Sequence, residues 1–327
     1  MQLNKIKRRL YLALNNHATP TCVKNFLILV NQMLFHWKER EHTLHPGSRN
    51  PEKTYFVIRP SGKVEGLLSL YSVATFEAWK AQKRGFIPYI DYENYPTQYK
   101  ENKLIHGTKN AWEYYFNQPF SNCASDILQA KNVILSGWHI KKNTQIKRNI
   151  FWQQPFRSFC QENFGIQPYI MNIVRDKKEK LKVDDQVLAV FLRGTDYVRL
   201  KPKGHARQPS PEVVIEKAEE FLKKYRLNRI FLVTEDRSIY KKFQEHFGNI
   251  VFTSDDHFVE KYDGKDYVAD SLQEPPYERG LNYLIRILLM MECQYLVSSI
   301  ASGSIFALNM KREDYKASYI FDLGDYA

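Results

Sequence analysis

Two short segments constrain this chain more than any other feature. Residues 187–192 (VLAVFL) are apolar throughout, and residues 229–234 (RIFLVT) are apolar between their ends. Both are too short for ordinary helices. A strand with apolar side chains on both faces needs cover on both faces, which is the condition inside a parallel sheet. The residues between them supply one cover. Ser210-Pro211-Glu212 reads as a helix start, with Ser at the cap, Pro at the first position and an acid in the first turn. Val214, Ala218, Phe221, Leu222 and Tyr225 then form an apolar face at helical spacing. The alternation continues. The pattern predicts helix over 238–247, strand over 250–253, helix over 281–292, strand over 295–297, helix over 304–310 and strand over 319–321. This is the pattern of a doubly wound α/β domain.

The first half carries a weaker version of the same unit. Residues 55–58 read as a strand, broken by Arg59-Pro60-Ser61-Gly62; a helix runs from Gly66 to about residue 83, and a strand covers 86–90. Residues 131–135 read as a further strand and 149–163 as a helix. Residues 1 to about 50 read as helical and basic. Residues 91–119 are polar, aromatic and poor in periodicity, the composition of long functional loops, with a short helix around 112–116. The charge run RDKKEKLKVDD (175–185) is the expected boundary. A chain of 327 residues accommodates two domains. We therefore expect an N-terminal α/β domain over 1–180 with a basic helical start, and a C-terminal Rossmann-like domain over 181–327.

Several classes of protein are disfavoured. The best apolar run, 26–35, is broken by Asn31 and Gln32, against roughly 20 residues for a spanning helix. The basic start lacks a signal-peptide core, so a cytoplasmic location is expected. The cysteines Cys22, Cys123, Cys160 and Cys293 are scattered, with no CxxC pair, and no HExxH occurs; no metal site is expected. The net charge of +12 favours polyanionic partners. Leu3, Ile6 and Leu10, ringed by Lys5, Lys7, Arg8 and Arg9, suit either an anionic bilayer face or packing on the chain's own domain. No nucleic-acid-binding motif appears, so nucleic acid is not an expected partner.

Ligands of doubly wound sheets bind beyond the carboxyl ends of the strands. Arg193-Gly194-Thr195-Asp196-Tyr197 follows the first apolar strand. An arginine leaving a buried strand needs an anion, which is either a ligand phosphate or Asp196. Glu235 and Asp236 follow the second strand and suit either a helix cap or a ribose. SSIASGS (298–304) leads directly into a helix. Its small residues, hydroxyls and helix N-terminus suit an anion, or form an ordinary capped turn; Ser299, Ser302, Gly303 and Ser304 are the candidates. Gly62 and Gly66 either let backbone approach a ligand or make a plain turn. No Walker A, GxGxxG or DxD pattern occurs, the nearest being Asp91-Tyr92-Glu93. An arginine with helix amides, stabilising a nucleoside diphosphate without a metal, is the consistent chemistry. Asp91, Glu113 and His205 are the candidate bases for an acceptor hydroxyl. Trp112, Tyr114 and Tyr115 suit stacking on acceptor sugars or core packing.

Three segments together carry a family resemblance. VFLRGTDYV (190–198) resembles the arginine motif of the GDP-fucose fucosyltransferase superfamily. IFLVTEDRSIYKKFQEHFGNIVFTSDDHF (230–258) and YLVSSIASGSIFALNM (295–310) are similar to its later motifs, in the same order. IPYIDYENYPTQY and NAWEYYFNQP look like a bacterial polysaccharide-biosynthesis branch. The resemblance implies a glycosyltransferase of the GT-B type with facing Rossmann-like domains, the C-terminal one binding the donor. It implies an inverting, metal-independent transfer of fucose from GDP-fucose to a bacterial surface glycan, with no cofactor. By position, Arg193 would contact the donor β-phosphate, Asp196 would order the loop, Glu235 and Asp236 would be the acidic pair, and Ser302 would contact diphosphate. Gly194, Ser299, Gly303, Ser304 and Gly66 complete the expected donor site. Phe191, Gly194, Lys201 and Arg286 depart from the family pattern. They keep open a different nucleotide sugar, or a non-catalytic glycan-binding protein. The charge and basic start fit an acceptor carried on a lipid diphosphate.

Overall fold

The structure is a computed structural model that describes residues 20, 41–60, 62, 65–121, 124–137, 154–254, 258–259 and 274–327. The apolar-basic start and residues 149–153 lie outside the described residues. The first half contains β1 (His42–Leu44), β2 (Arg49–Ile58), α1 (Leu67–Lys83), β3 (Ile87–Ile90), α2 (Ala124–Gln129), β4 (Ala130–Leu135), α3 (Gln154–Asn163) and α4 (Pro168–Leu181). Its sheet has the order β1-β4-β2-β3. β2 pairs parallel with β3 and β4, and β1 closes one edge antiparallel to β4. Residues 42–44 are thus a strand, where the sequence suggested helix.

The second half contains β5 (Val187–Phe191), α5 (Thr195–Arg199), α6 (Pro211–Tyr225), β6 (Arg229–Val233), α7 (Arg237–Phe247), β7 (Val251–Phe252), α8 (Pro276–Glu292), β8 (Tyr295–Ser299), α9 (Ser302–Met310) and β9 (Ala317–Phe321). The sheet order is β7-β6-β5-β8-β9, parallel throughout. This is the doubly wound sheet expected from the apolar segments. Alternation of side chains explains the unbroken apolarity of β5. Leu188 and Val190 join a core with Val214, Ala218 and Phe221 of α6 and Phe243 of α7. Val187, Ala189 and Phe191 join the opposite core, with Leu284 and Leu288 of α8 and Phe306 of α9.

That second core continues into the first half, through Phe56 of β2, Leu68 and Tyr71 of α1, and Trp112 and Phe116 of the aromatic loop. The Tyr71 ring meets Phe306 edge-on at 4.8 Å, and its hydroxyl donates to the Met310 sulfur at 2.9 Å. The expected division near residue 180 falls at the last turn of α4. The charge run before it is helical, because Ile170 and Val174 bury one face while the lysines stay in solvent. Lys178 of α4 pairs with Glu292 of α8 at 2.6 Å. Gln161 of α3 donates to the Asn309 carbonyl of α9 at 2.9 Å. Among the described residues no helix is long and apolar enough to cross a membrane.

The aromatic loop corrects one expectation. Residues 111–115 form hydrogen-bonded turns rather than a helix. Trp112, Tyr114 and Tyr115 are 1%, 0% and 0% exposed. Trp112 stacks on Tyr71 at 5.7 Å and 10°, and its Nε1 donates to the Asn117 carbonyl at 3.0 Å. No ring face is open to a sugar, so these three residues are core rather than an acceptor platform. Trp112→Ala is expected to cost about 3–5 kcal/mol, read as a lower urea midpoint. An unchanged midpoint would contradict this placement.

Burial pushes the thiols of Cys160 and Cys293 up to about 12. Thiolate, the reactive form, is then scarce at pH 8. Both cysteines are expected to resist alkylation at pH 8 until denaturant is added, as peptide mass spectrometry would show.

Candidate active site

The polypeptide leaves β5 and β8 toward opposite faces of the sheet. α6, which follows β5, packs on one face, and α9, which follows β8, packs on the other. The ends of these two neighbouring strands therefore part and open a crevice, the position where doubly wound folds bind ligands. The Arg193 segment follows β5 on one side of that switch point, and residues 300–304 follow β8 on the other.

Arg193 is held by carboxylates on two sides. One guanidinium nitrogen donates to Asp196 Oδ1 at 3.0 Å, and Nε lies 3.3 Å from Glu235 Oε1 without making a hydrogen bond. The guanidinium stands 4.8 Å from the Tyr197 ring centroid. Burial opposes the charge, but Glu235 and Asp196 outweigh it and raise the pKa, so the site keeps a permanent cation.

The acids also build the loop that presents Arg193. Glu235 Oε1 accepts from the Gly194 amide at 3.0 Å and the Thr195 hydroxyl at 2.9 Å. Asp236 accepts from the Thr195 amide at 3.2 Å and caps α7 through the Ser238 amide at 2.8 Å. Thr195 is 4% exposed and held at φ 42°, a left-handed conformation that persists only where its surroundings enforce it. A Cβ on Gly194 would lie 2.7 Å from the Asp236 Cβ, so only glycine lets the two segments meet. Glu235 and Asp236 thus act on the loop: Asp236 is the helix cap that the sequence allowed.

The opposite side is hydroxyl-rich. Ser304 is buried and closes its own turn, donating to Ser299 O at 2.8 Å and accepting from the Ala301 amide at 3.0 Å. Ser299 is fully buried, and among the described residues its Oγ meets no hydrogen-bond partner. Ser302, partly exposed, opens α9, whose N-cap residue Ala301 has no side-chain acceptor for the first-turn amides. Gly303 packs so closely that an added Cβ would lie 2.8 Å from the Tyr283 hydroxyl. The first-turn amides of α9 provide a partial positive charge beside the Arg193 loop.

The first half reaches the same region through Tyr99. Its hydroxyl accepts from the Leu67 amide, just after Gly66, at 2.9 Å. Burial raises its pKa, against the effect of that bond and of Arg279 and Arg193. Tyr283 of α8 is likewise raised by burial and opposed by Arg193. Neither tyrosine was legible as a site residue. For Tyr283, the only signal was its place on α8, three residues after Gly280, along a helix whose Leu284 and Ile287 are core. Gly66 itself is exposed at the start of α1, with open space where a Cβ would stand.

The three candidate bases part company. Asp91 is 7% exposed and caps the turn after β3, accepting from the Asn94 amide at 2.8 Å and the Glu93 amide at 3.1 Å. Glu113 accepts from the Thr108 hydroxyl at 2.7 Å and from Gln118 at 2.9 Å, in a separate cavity. His205 stands beside the Arg193 segment, its ring 5.4 Å from that of Tyr197. Arg286 is partly exposed on α8. Among the described residues no group of three or more His, Cys, Asp or Glu side chains is placed to hold a metal ion.

The fold defines an α/β protein with a carboxylate-paired arginine and a helix start beyond the carboxyl ends of two neighbouring strands, at the switch point of a doubly wound sheet. No family model and no curated protein matches the chain. Solved structures do. The fucosyltransferase NodZ from Bradyrhizobium is 15% identical, with a TM-score of 0.49 over 84% of this chain and 97% of that one. NodZ alpha-1,6-fucosyltransferase soaked with GDP-fucose is 15% identical, with a TM-score of 0.47 over 79% of this chain and 93% of that one. POFUT1 in complex with GDP-fucose is 11% identical, with a TM-score of 0.39 over 84% of this chain and 76% of that one.

The packing at Gly194 yields a direct test of the loop. Gly194→Ala is expected to destabilise the protein by about 1–3 kcal/mol, the range for overpacking. Thermal or urea unfolding reads the change, and an unaltered midpoint would show that the Asp236 contact is not tight.

Proposed function

We propose that this chain is a glycosyltransferase whose donor is a nucleotide diphosphate sugar, with GDP-fucose the first candidate. The observation that carries the reading is the permanently charged Arg193, fixed at the switch point beside the start of α9, where Ala301 provides no side-chain cap. As the bond from the anomeric carbon to the diphosphate oxygen breaks, negative charge builds on the leaving group. A guanidinium and helix amides already in place stabilise that charge without reorganising. Glu235 shares its oxygen among Arg193, Gly194 and Thr195, and Asp196 holds a second side of the guanidinium, so the acids orient the arginine while the first-turn amides of α9 supply further positive potential.

In this reading the second half binds the donor and the first half the acceptor. The acceptor oxygen attacks the anomeric carbon from the face opposite the diphosphate, which inverts the configuration. Its proton passes to a base, and His205 is the candidate standing beside the Arg193 segment. Arg193 and α9 carry the charge in this scheme, so transfer proceeds without a divalent ion. A bacterial surface glycan on a lipid diphosphate suits the +12 charge of the chain.

A thermal-shift series with GDP, UDP, CDP, dTDP and ADP, with and without divalent ions, tests the donor site. At about 100-fold over Kd a ligand stabilises by roughly 2.7 kcal/mol. GDP is expected to do so without a metal, and Arg193→Ala to lose the effect. Transfer in Arg193→Ala should fall by about 10²-fold or more, the scale of losing one charge-stabilising donor. Full GDP stabilisation in that variant would move the anion site elsewhere. Stabilisation by another nucleotide alone would keep the chemistry and discard fucose.

A further inference from the structure

A second cavity, of about 620 Å³, opens beside the β3 edge of the first half. Tyr89, His106, Glu113, Asn117, Gln167 and Tyr169 are among its lining residues. It does not include Arg193 or the start of α9. We propose that this cavity binds neutral sugar residues of a glycan, as a subsite remote from the transfer centre. Its use in transfer rests on the function proposed above; its chemistry does not.

Size comes first. The volume falls within the roughly 300–1,000 Å³ of ligand pockets. The aromatic wall comes next. His106 is exposed and lies flat on Tyr169, with centroids 3.9 Å apart and planes 27° apart. Its Nε2 is 3.2 Å from the Tyr277 hydroxyl, which fixes the ring from a second side. The turn that presents it is closed at both ends: Ile105 and Thr108 exchange backbone hydrogen bonds at 3.0 Å. His106 and Gly107, the two central residues, have φ of 47° and 84°. Histidine is among the non-glycine residues that adopt that conformation more readily, and here the turn presents an exposed imidazole at the cavity lining.

The polar groups complete the case. Glu113 is oriented by Thr108, Gln118 and Asn110, and a carboxylate has about four acceptor positions, so about one remains, on Oε2, for a ligand hydroxyl. Gln167 uses its nitrogen on the carbonyls of Glu113 and Phe116, at 3.0 and 3.2 Å, which leaves its oxygen as an acceptor. The Asn117 amide is exposed and can both donate and accept. Fixed acceptors, an amide and an exposed aromatic ring suit sugar hydroxyls and the apolar face of a sugar ring. The charges argue against a polyanion. Glu93 and Glu113 face Lys109 alone among the lining residues that carry full charges, in a chain of net charge +12. A phosphate or uronate would meet two carboxylates there.

The place of the cavity relates it to the crevice. Tyr277, which meets His106, begins α8, and Tyr283, which meets Gly303, lies six residues on. Six residues of helix span about 9 Å. A glycan lying along α8 would reach from one site to the other.

Saturation-transfer NMR on the full chain tests this with cellotetraose, maltotetraose, N-acetylchitotetraose and, as an acidic control, tetragalacturonate. At least one neutral tetrasaccharide is expected to bind, and the acidic one to bind more weakly. Binding should weaken about tenfold or more in Glu113→Gln, the scale of one hydrogen bond to a charged group. His106→Asn, which tolerates the left-handed turn, should weaken it too. Sugar binding should persist in Arg193→Ala, and the GDP shift should persist in His106→Asn. Binding of no neutral sugar would overturn the proposal. So would preference for the acidic sugar, or binding lost in Arg193→Ala and kept in His106→Asn. Loss of the GDP response with sugar binding intact would instead remove the donor reading and leave this one standing.

Discussion

Burial of β5 on both faces is the constraint from which the rest of the second half follows. Leu188 and Val190 need α6 and α7 on one side; Ala189 and Phe191 need α8 and α9 on the other. A strand covered twice sits at the middle of a parallel sheet, and helices on both sides require the chain to wind in two directions from it. The two directions part between β5 and β8. The crevice is a product of how the core is covered, and Arg193 enters it as the second residue after β5.

An arginine at that position carries a desolvation cost, and the local answer is a pair of carboxylates from two different connections. Asp196 comes from the loop after β5, and Glu235 from the loop after β6. The same Glu235 oxygen gathers the Gly194 amide and the Thr195 hydroxyl, while Asp236 takes the Thr195 amide. The left-handed Thr195 and the close approach at Gly194 are the backbone consequences. Charge compensation and loop geometry are therefore one arrangement. In the function proposed above, an arginine so held is already oriented toward a departing diphosphate.

The aromatic loop of the first half shows a different economy. Its interior rings, Trp112, Tyr115 and Phe116, bind the two halves into one core with Tyr71 and Phe306. Its outer ring, His106, is turned outward on Tyr169 over a cavity of mixed polarity. Rings from one loop thus serve stability and a candidate site at once. Burial, rather than residue type, separates the two uses.

The sequence by itself determined the alternation of strands and helices in the second half, because apolar periodicity reports burial directly. It also placed the Arg193 and 298–304 segments at the carboxyl ends of two strands, and the sheet order then made those strands neighbours. Ser210-Pro211 and Asp236 were legible as helix starts. The start of the chain fared less well: residues 42–44 form a strand on pairing with β4, a partner nearly ninety residues away. The helix α4 was hidden because its charged face dominates the composition, and only two residues of its other face are buried. Trp112, Tyr114 and Tyr115 could be platform or core by type alone, and only packing against Tyr71 and α8 decided for core. Tertiary structure likewise tied Asp91 to its own turn, placed Glu113 in a cavity that lacks Arg193, and brought Tyr99 and Tyr283 toward that arginine. Such meetings join residues far apart in the chain, and local periodicity carries no information about them.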